Sequence, residues 1–477
     1  QGDYSRAIIE FQDAIEMGSL SSEIYYSISE CYWMIQKYDK SLQYGLLAID
    51  YDDNNRDYSV SLGKKYISLN ELEKALDIFI EISEKYEDNA DVLFIIGDLK
   101  AELNDIDSAL VYYQQAYNKD NSLILALEVA AELSLRSNHR YSKTILKKLL
   151  LADPSNPRYL QLFIEALPQS NNLDDIEDLV SNEDIKSNPF INNLYNQLGY
   201  EYLMNRSLDK AESYFQKSLA VNDNDRFALY YLSNIYRDLE KYDESITVAD
   251  KHILLYPKER EGYINKIISL LTLKNYQTAI EVSLESLSIF PNDFDINYFL
   301  GIAYYSAEKF IEAELYYEKS LKIDNNSVAA MHGLAMAYDK NKKWEKSDQL
   351  YIDLIANNTQ DAQAYNNYAY SLVERNEEID YALTLAEKAI QLSPKTSAYL
   401  DTVGWIYFKL GNFEKAKEFI AQSIVYDGSS AVVLEHYGDV LIALEEKDEA
   451  LVFYKKALEL DQDNSVLSEK ISSYENQ

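Results

Sequence analysis

Large apolar residues fall at helical spacing along almost the whole chain, and small residues interrupt them on a fixed beat. Gly404 is followed 34 residues later by Gly438. Stepping backwards, the same slot holds Ala369 after a step of 35, then Ala335, Gly301, Ile267, Ser233 and Gly199 at steps of 34. The beat continues through Glu165, Ala131, Gly97, Gly63 and Ser29, so thirteen full units run from Ser22 to Asn464. The one extra residue falls around Ile379 or Asp380, in the unit that begins at Ala362. A second small residue follows twelve positions after the first (Ala75, Ala109, Ala211, Ala279, Ala313, Ala416, Ala450), and a third seven after that (Ala48, Ala116, Ser218, Ser286, Ser320, Ser423, Ala457). Small residues at these sites let two antiparallel helices and the next unit's first helix approach closely, while large apolar residues fill the space between them. Each unit is predicted to be a helical hairpin.

The aromatic residues carry the pattern further. Counting each unit from its first helical residue, position 11 is Tyr32, Tyr66, Tyr202, Tyr236, Tyr304, Tyr338 and Tyr407. Position 17 is Tyr38, Tyr242, Tyr276, Phe310, Trp344 and Phe413, and position 32 is Pro257 and Pro291, with Pro394 in the same role after the extra residue. In these features the chain resembles the tetratricopeptide repeat family over essentially its whole length. The resemblance implies an all-α fold, a right-handed α-solenoid superhelix of about thirteen hairpins preceded by an N-terminal half repeat.

Departures from the pattern divide the array. The units 124–157 and 158–191 carry Lys143, Leu150, Glu165, Glu177 and Asp184 where small residues belong, and they hold Pro154, Pro157, Pro168 and Pro189. The expected organisation is therefore the second helix of a truncated repeat with its loop at 1–21, an N-terminal arm at 22–123, degenerate units with a bend at 124–191, a regular C-terminal array at 192–464 and a polar capping helix at 465–477. Ala7 and Ala14 match second-helix positions, and a repeat hairpin needs neighbours for its core, so the native chain is expected to extend upstream of Gln1. The polar end SVLSEKISSYENQ reads as a natural cap.

Composition agrees with a nearly all-helical chain: 47% of the 477 residues are hydrophobic, and 13 Gly and 7 Pro leave few residues for turns. The 80 acidic against 45 basic residues give a formal charge of -35, spread along the chain. Such a field repels phosphate backbones and anionic lipid surfaces, which argues against nucleic acid as a partner. No apolar run approaches the length a membrane span needs. The single cysteine, Cys31, excludes an internal disulfide and a cysteine-based zinc site and reads as an inert thiol.

Catalytic motifs are missing from the sequence: there is no Gly-rich phosphate loop, HExxH helix, CxxC pair or GxSxG elbow. His139, His252, His332 and His436 occupy four different repeat positions and never pair at metal spacing. The chain is read as non-enzymatic, without cofactor or metal. Many of the 43 tyrosines fall at positions 4, 11 and 24, where core packing explains them.

What remains is a surface. The resemblance implies that positions 2, 5, 9, 12 and 13 of each first helix line the concave side. Asp401, Trp405 and Phe408 occupy positions 5, 9 and 12 of one unit, Asn366 and Tyr370 positions 5 and 9 of the unit before, and Glu435 and Asp439 the same positions of the unit after. Together they suggest an aromatic and acidic groove for an extended or helical peptide with a basic and an apolar side chain. A second set, Asn196, Tyr200, Tyr230 and Asn234, offers amides that could hold a peptide backbone. The family's clamp for chaperone tails needs Lys, Asn and Arg residues that no three consecutive units here supply. The function expected is a scaffold for protein or peptide partners. The run YAYSLVERNEEIDYALTLAEKAIQLSP with AYLDTVGW and VVLEHYGDVL resembles the ending of bacterial tetratricopeptide proteins, which places a role in the periplasm or cell envelope ahead of a cytoplasmic one. The alternative is the substrate-presenting arm of an enzyme, such as a glycosyltransferase or signalling kinase, whose catalytic domain precedes Gln1.

Overall fold

A computed structural model describes residues 2–87, 89–167, 174–462 and 464–475, and among them every regular element is a helix. The helices pack in consecutive hairpins, as the 34-residue beat predicts. Ser397–Lys409 with Phe413–Tyr426, and Ala431–Ala443 with Lys447–Leu460, are typical. The chain is an α-solenoid whose core forms where each hairpin meets its neighbour. By contact pattern it divides into two compact units, Gln1–Ala228 and Leu229–Gln477.

The small beat residue has a direct packing cause. A Cβ placed on Gly438 would lie 2.5 Å from Cε1 of Tyr454, and one on Gly301 would lie 2.7 Å from Cδ1 of Tyr317. Each ring belongs to position 24 of the same hairpin, and both tyrosines are almost wholly buried. The glycine is thus a socket for its own second helix. Ala75, Ala109, Ala211, Ala279, Ala313, Ala416 and Ala450 are fully buried, as close helix contact requires.

The turn inside each hairpin is equally regular. Position 15 adopts a left-handed backbone in Gln36, Asn70, Asn104, Asn138, Arg206, Glu240, Lys274, Glu308, Lys342, Asn376, Gly411 and Glu445. The amide of the following residue bonds back to the carbonyl five residues earlier, as in Lys37 to Tyr32 and Asn412 to Tyr407, each at 2.9 Å. These paired bonds satisfy carbonyls that the helix end would otherwise leave open. The residue that lengthens one step to 35 is also found here: Glu378 takes φ of 45° as the cap of Ile379–Leu392. The insertion therefore lies just before Ile379, because a turn absorbs an added residue without rotating either helix's buried face.

The degenerate stretch is built from shorter pieces. Ser142–Ala152, Pro157–Glu165, Asp174–Val180 and Glu183–Lys186 are all shorter than the 13- and 14-residue helices of Ala431–Ala443 and Lys447–Leu460. Pro157 sits at the first turn of its helix, where its missing N–H costs nothing. Pro168 lies outside the described residues. At the C-terminal end Ser465–Glu475 packs through Leu467 and Ile471 onto the preceding hairpin.

Candidate functional site

The second compact unit contains a cavity of about 620 Å³ walled by first helices of successive hairpins. Tyr305 comes from Phe294–Ser306, Met336 and Asp339 from Val328–Lys340, and Asn366, Tyr370 and Glu374 from Ala362–Glu374. Asp401 and Thr402 follow from Ser397–Lys409, and Val432 and Val433 from Ala431–Ala443. Trp344, Tyr351 and Arg375 close it from the side of the turns and second helices. The repeat stacks equivalent positions side by side, which is how residues more than a hundred positions apart in sequence share one wall.

Of the seven residues in the first predicted set, the cavity gathers Asn366, Tyr370 and Asp401. Trp405, Phe408, Glu435 and Asp439 are not on its wall, and each has work elsewhere. Trp405 is 8% exposed, lies flat on His436 with ring centres 3.9 Å apart, stacks on Phe408 at 4.8 Å, and donates its indole N–H to Glu374 Oε1 at 2.9 Å. Asp401 is hydrogen-bonded to His436 Nδ1 at 3.0 Å. Lys470, from the final helix, donates to Glu435 at 2.8 Å and to Asp439 at 2.8 and 2.9 Å, while Tyr454 donates its hydroxyl to Asp439 at 2.6 Å. Burial works against the Lys470 charge, but the bonds to Asp439 and Glu435 outweigh it and hold the ammonium above its ordinary range.

The second predicted set belongs to two different compact units. In the first, Asn196 is buried and donates to Asp225 at 2.8 Å, while Tyr200 lies beside Phe227 with ring centres 6.3 Å apart. In the second, Asn234 donates to the Tyr230 carbonyl at 3.1 Å and accepts from Arg237 at 3.0 Å.

Tyr305, Met336, Trp344 and Arg375 were not singled out by sequence. Tyr305 and Met336 occupy positions 12 and 9, so the same register extended one and two units upstream would have found them. Trp344 was read as a turn-side packing residue, and only the structure shows one face of it on the cavity. Arg375 lies over that ring at 5.4 Å and donates to Asp348 at 2.6 Å.

The cavity is polar at its base and aromatic along its sides. Burial pushes the Asp339 carboxyl up, against hydrogen bonds from Ser347, Ser371 and Tyr351 that favour its ionised form. Burial, then the charge of Asp339, pushes Tyr305 up to about 12. Tyr370 is raised by burial and by Glu374 and Asp401. These tyrosines are neutral hydrogen-bonding groups rather than nucleophiles. Among the described residues no group of three or more His, Cys, Asp or Glu is placed to hold a metal ion. The four histidines each sit beside a carboxylate, Asp107, Glu259, Asp361 or Asp401. Burial, with Glu30 alongside, raises the Cys31 thiol. No helix among the described residues is long and apolar enough to cross a membrane.

Comparison with known proteins bears on the same architecture. Tetratricopeptide repeat family profiles match residues 1–56, 193–225 and 294–327, and the profile of anaphase-promoting complex, cyclosome, subunit 3 matches residues 375–457. The TPR repeat-containing protein MJ1428 of Methanocaldococcus jannaschii is 23% identical over 96% of this chain and 73% of its own length. The Hsp70-Hsp90 organizing protein of Triticum aestivum is 26% identical over 48% of this chain, which spans 40% of that protein. Among solved structures, yeast Tom70 aligns over 95% of both chains with 16% identity and a TM-score of 0.44.

Proposed function

Because the chain is a tetratricopeptide-repeat protein, we propose that it is a non-catalytic scaffold that binds segments of partner proteins, and that the cavity between Tyr305 and Val433 is its principal binding site. One observation carries this reading. The wall residues Met336, Asn366, Tyr370, Ala398 and Val432 occupy first-helix positions that the helical hairpin does not need for closure, yet together they bound about 620 Å³, a volume typical of a ligand site. Exposed apolar area at Val432 and aromatic faces at Tyr305, Trp344 and Tyr370 supply the kind of anchor that dominates binding energy at interfaces. The relative named for organising Hsp70 and Hsp90 supports a role in bringing proteins together.

The partner's side chains are reconsidered in the light of the internal pairing. Glu435 and Asp439 are neutralised by Lys470, and Asp401 is bonded to His436, so the acidic positions offer a basic side chain less than their register suggests. An apolar side chain seated between Tyr370, Met336 and Trp344 is the anchor we put forward. The test is selection of displayed random peptides on the full chain. Enrichment on the wild type that is lost in both Tyr370→Arg and Val432→Arg, each of which fills one end of the cavity, is the expected result. Peptides that bind the two variants as well as the wild type would move the site elsewhere.

A further inference from the structure

The cavity wall contains two buried polar atoms with no hydrogen-bond partner among the described residues, Asn366 Oδ1 and Arg375 Nη1. Asn366 is 7% exposed, and its amide makes one long contact of 3.5 Å, from Nδ2 to Asn367 Oδ1. The Arg375 side chain is 6% exposed and is fixed by Asp348, by the face of Trp344 and by Glu377, whose carboxylate lies 3.1 Å from Nε. Neither side chain can turn to water, and each unmet group carries a cost of roughly 1–3 kcal/mol.

An occupant that repairs both must bring a donor to Asn366 and an acceptor to Arg375. A fatty acid or a phosphate brings acceptors. An amine or ammonium ion brings donors. A peptide backbone carries one of each in every residue except proline.

Shape narrows the choice again. The wall descends through the repeat register, from Tyr305 at position 12 of its unit, through Met336 at 9 and Asn366 at 5, to Ala398 and Val432 at 2, so the path runs obliquely across five first helices, neighbours of which touch. Packed helices lie about 8–10 Å apart, so this path is a few tens of ångströms long. An α-helix with its side chains is about 10–12 Å wide, and 620 Å³ is filled by only some 5–8 Å of it. A helix also satisfies its own amides and carbonyls and has none to lend except at its ends. A strand at ~3.3 Å per residue spreads the same volume along the path with its backbone groups free.

Resting on the peptide-binding reading above, we infer that the cavity holds a single extended segment of a partner protein, gripped through its backbone by Asn366 and Arg375, rather than a helix gripped through its side chains. Recognition of this kind fixes the direction and register of the segment and leaves its side chains to the aromatic faces on either hand.

The experiment uses a peptide of about ten residues, long enough at ~3.3 Å per residue to follow the path, selected from a random library on the full chain. Each of its amides is then methylated in turn and affinity is measured by calorimetry. Loss of about tenfold or more at one internal position, together with a similar loss in Asn366→Leu that is not additive with methylation there, is the expected result. A flat methylation scan, or tightening when helix-promoting residues are built into the peptide, overturns the backbone grip while leaving the cavity reading intact. Failure of any peptide to distinguish wild type from Tyr370→Arg and Val432→Arg overturns both. The methylation scan needs no protein variant, so it decides the matter even if Asn366→Leu folds poorly.

Discussion

Trp405 donates its indole N–H to Glu374 Oε1 at 2.9 Å, and so the most conspicuous aromatic of the predicted groove is tied to the unit before its own. The same ring lies on His436 of the unit after, which makes it a three-unit joint. Trp405→Ala is expected to destabilise the second compact unit by about 3–5 kcal/mol, the usual cost of emptying a buried aromatic site. Trp405→Phe keeps the stack and loses the hydrogen bond, at about 1 kcal/mol. Urea denaturation followed by circular dichroism measures both, and near-equal midpoints for wild type and Trp405→Ala would contradict the structural role.

Lys470 ties the final helix to Glu435 and Asp439. Lys470→Met leaves those two carboxylates side by side without a cation, at roughly 1–3 kcal/mol. Hydrogen exchange should quicken across Ser465–Glu475 while Ala362–Glu374 keeps its protection. Unchanged exchange in the final helix would mean that Leu467 and Ile471 alone hold it.

Asp339 gives the protein a pH dependence of unusual sign for a carboxylate. Burial raises its folded-state pKa above the ~3.9 of a free Asp. Between those two values the folded chain keeps a proton that the unfolded chain has released, so this group's contribution is most favourable below about pH 3.9 and declines as pH rises through the raised value. Asp339→Asn removes the decline. The Tm of the variant minus that of wild type should therefore increase from pH 4 to neutral, and a difference that stays level would show that Asp339 is not raised.

The left-handed turn at position 15 separates glycine from every other residue used there. Gly411, at φ of 75°, sits with open space around its Cα, so Gly411→Ala should cost about 1 kcal/mol through backbone strain alone. Glu445→Gly, at φ of 64°, should gain from a few tenths to about 1 kcal/mol. Chemical denaturation of the two variants gives opposite signs if the conformation is the cause and equal signs if side-chain contacts are.

The hairpin, its period and its buried small residues were legible because packing repeats: Gly438 and Tyr454 meet for the same reason as Gly301 and Tyr317. The left-handed turn was not, since eleven of its twelve described residues are Asn, Gln, Arg, Glu or Lys rather than Gly, and a polar residue in a turn carries no visible signature. Site residues fell between these cases. Register placed Asn366, Tyr370 and Asp401 correctly on the cavity wall, but it treats every position 5 and 9 alike. It gave no hint that His436 would take Asp401 or that Lys470 would take Asp439, because those partners stand 35 and 31 residues away.

Because the Gly438–Tyr454 socket closes inside one hairpin, such a hairpin is an interchangeable part, and recombination between copies of the gene can add or remove 34 residues without breaking the joint. The cavity has no such freedom. It draws on five consecutive hairpins, and the insertion or loss of any one between Phe294 and Ala443 would slide Tyr305 away from Asn366 and Asn366 from Val432. The array can drift in length at either side of that block, while within it the number and order of hairpins are held by the site itself.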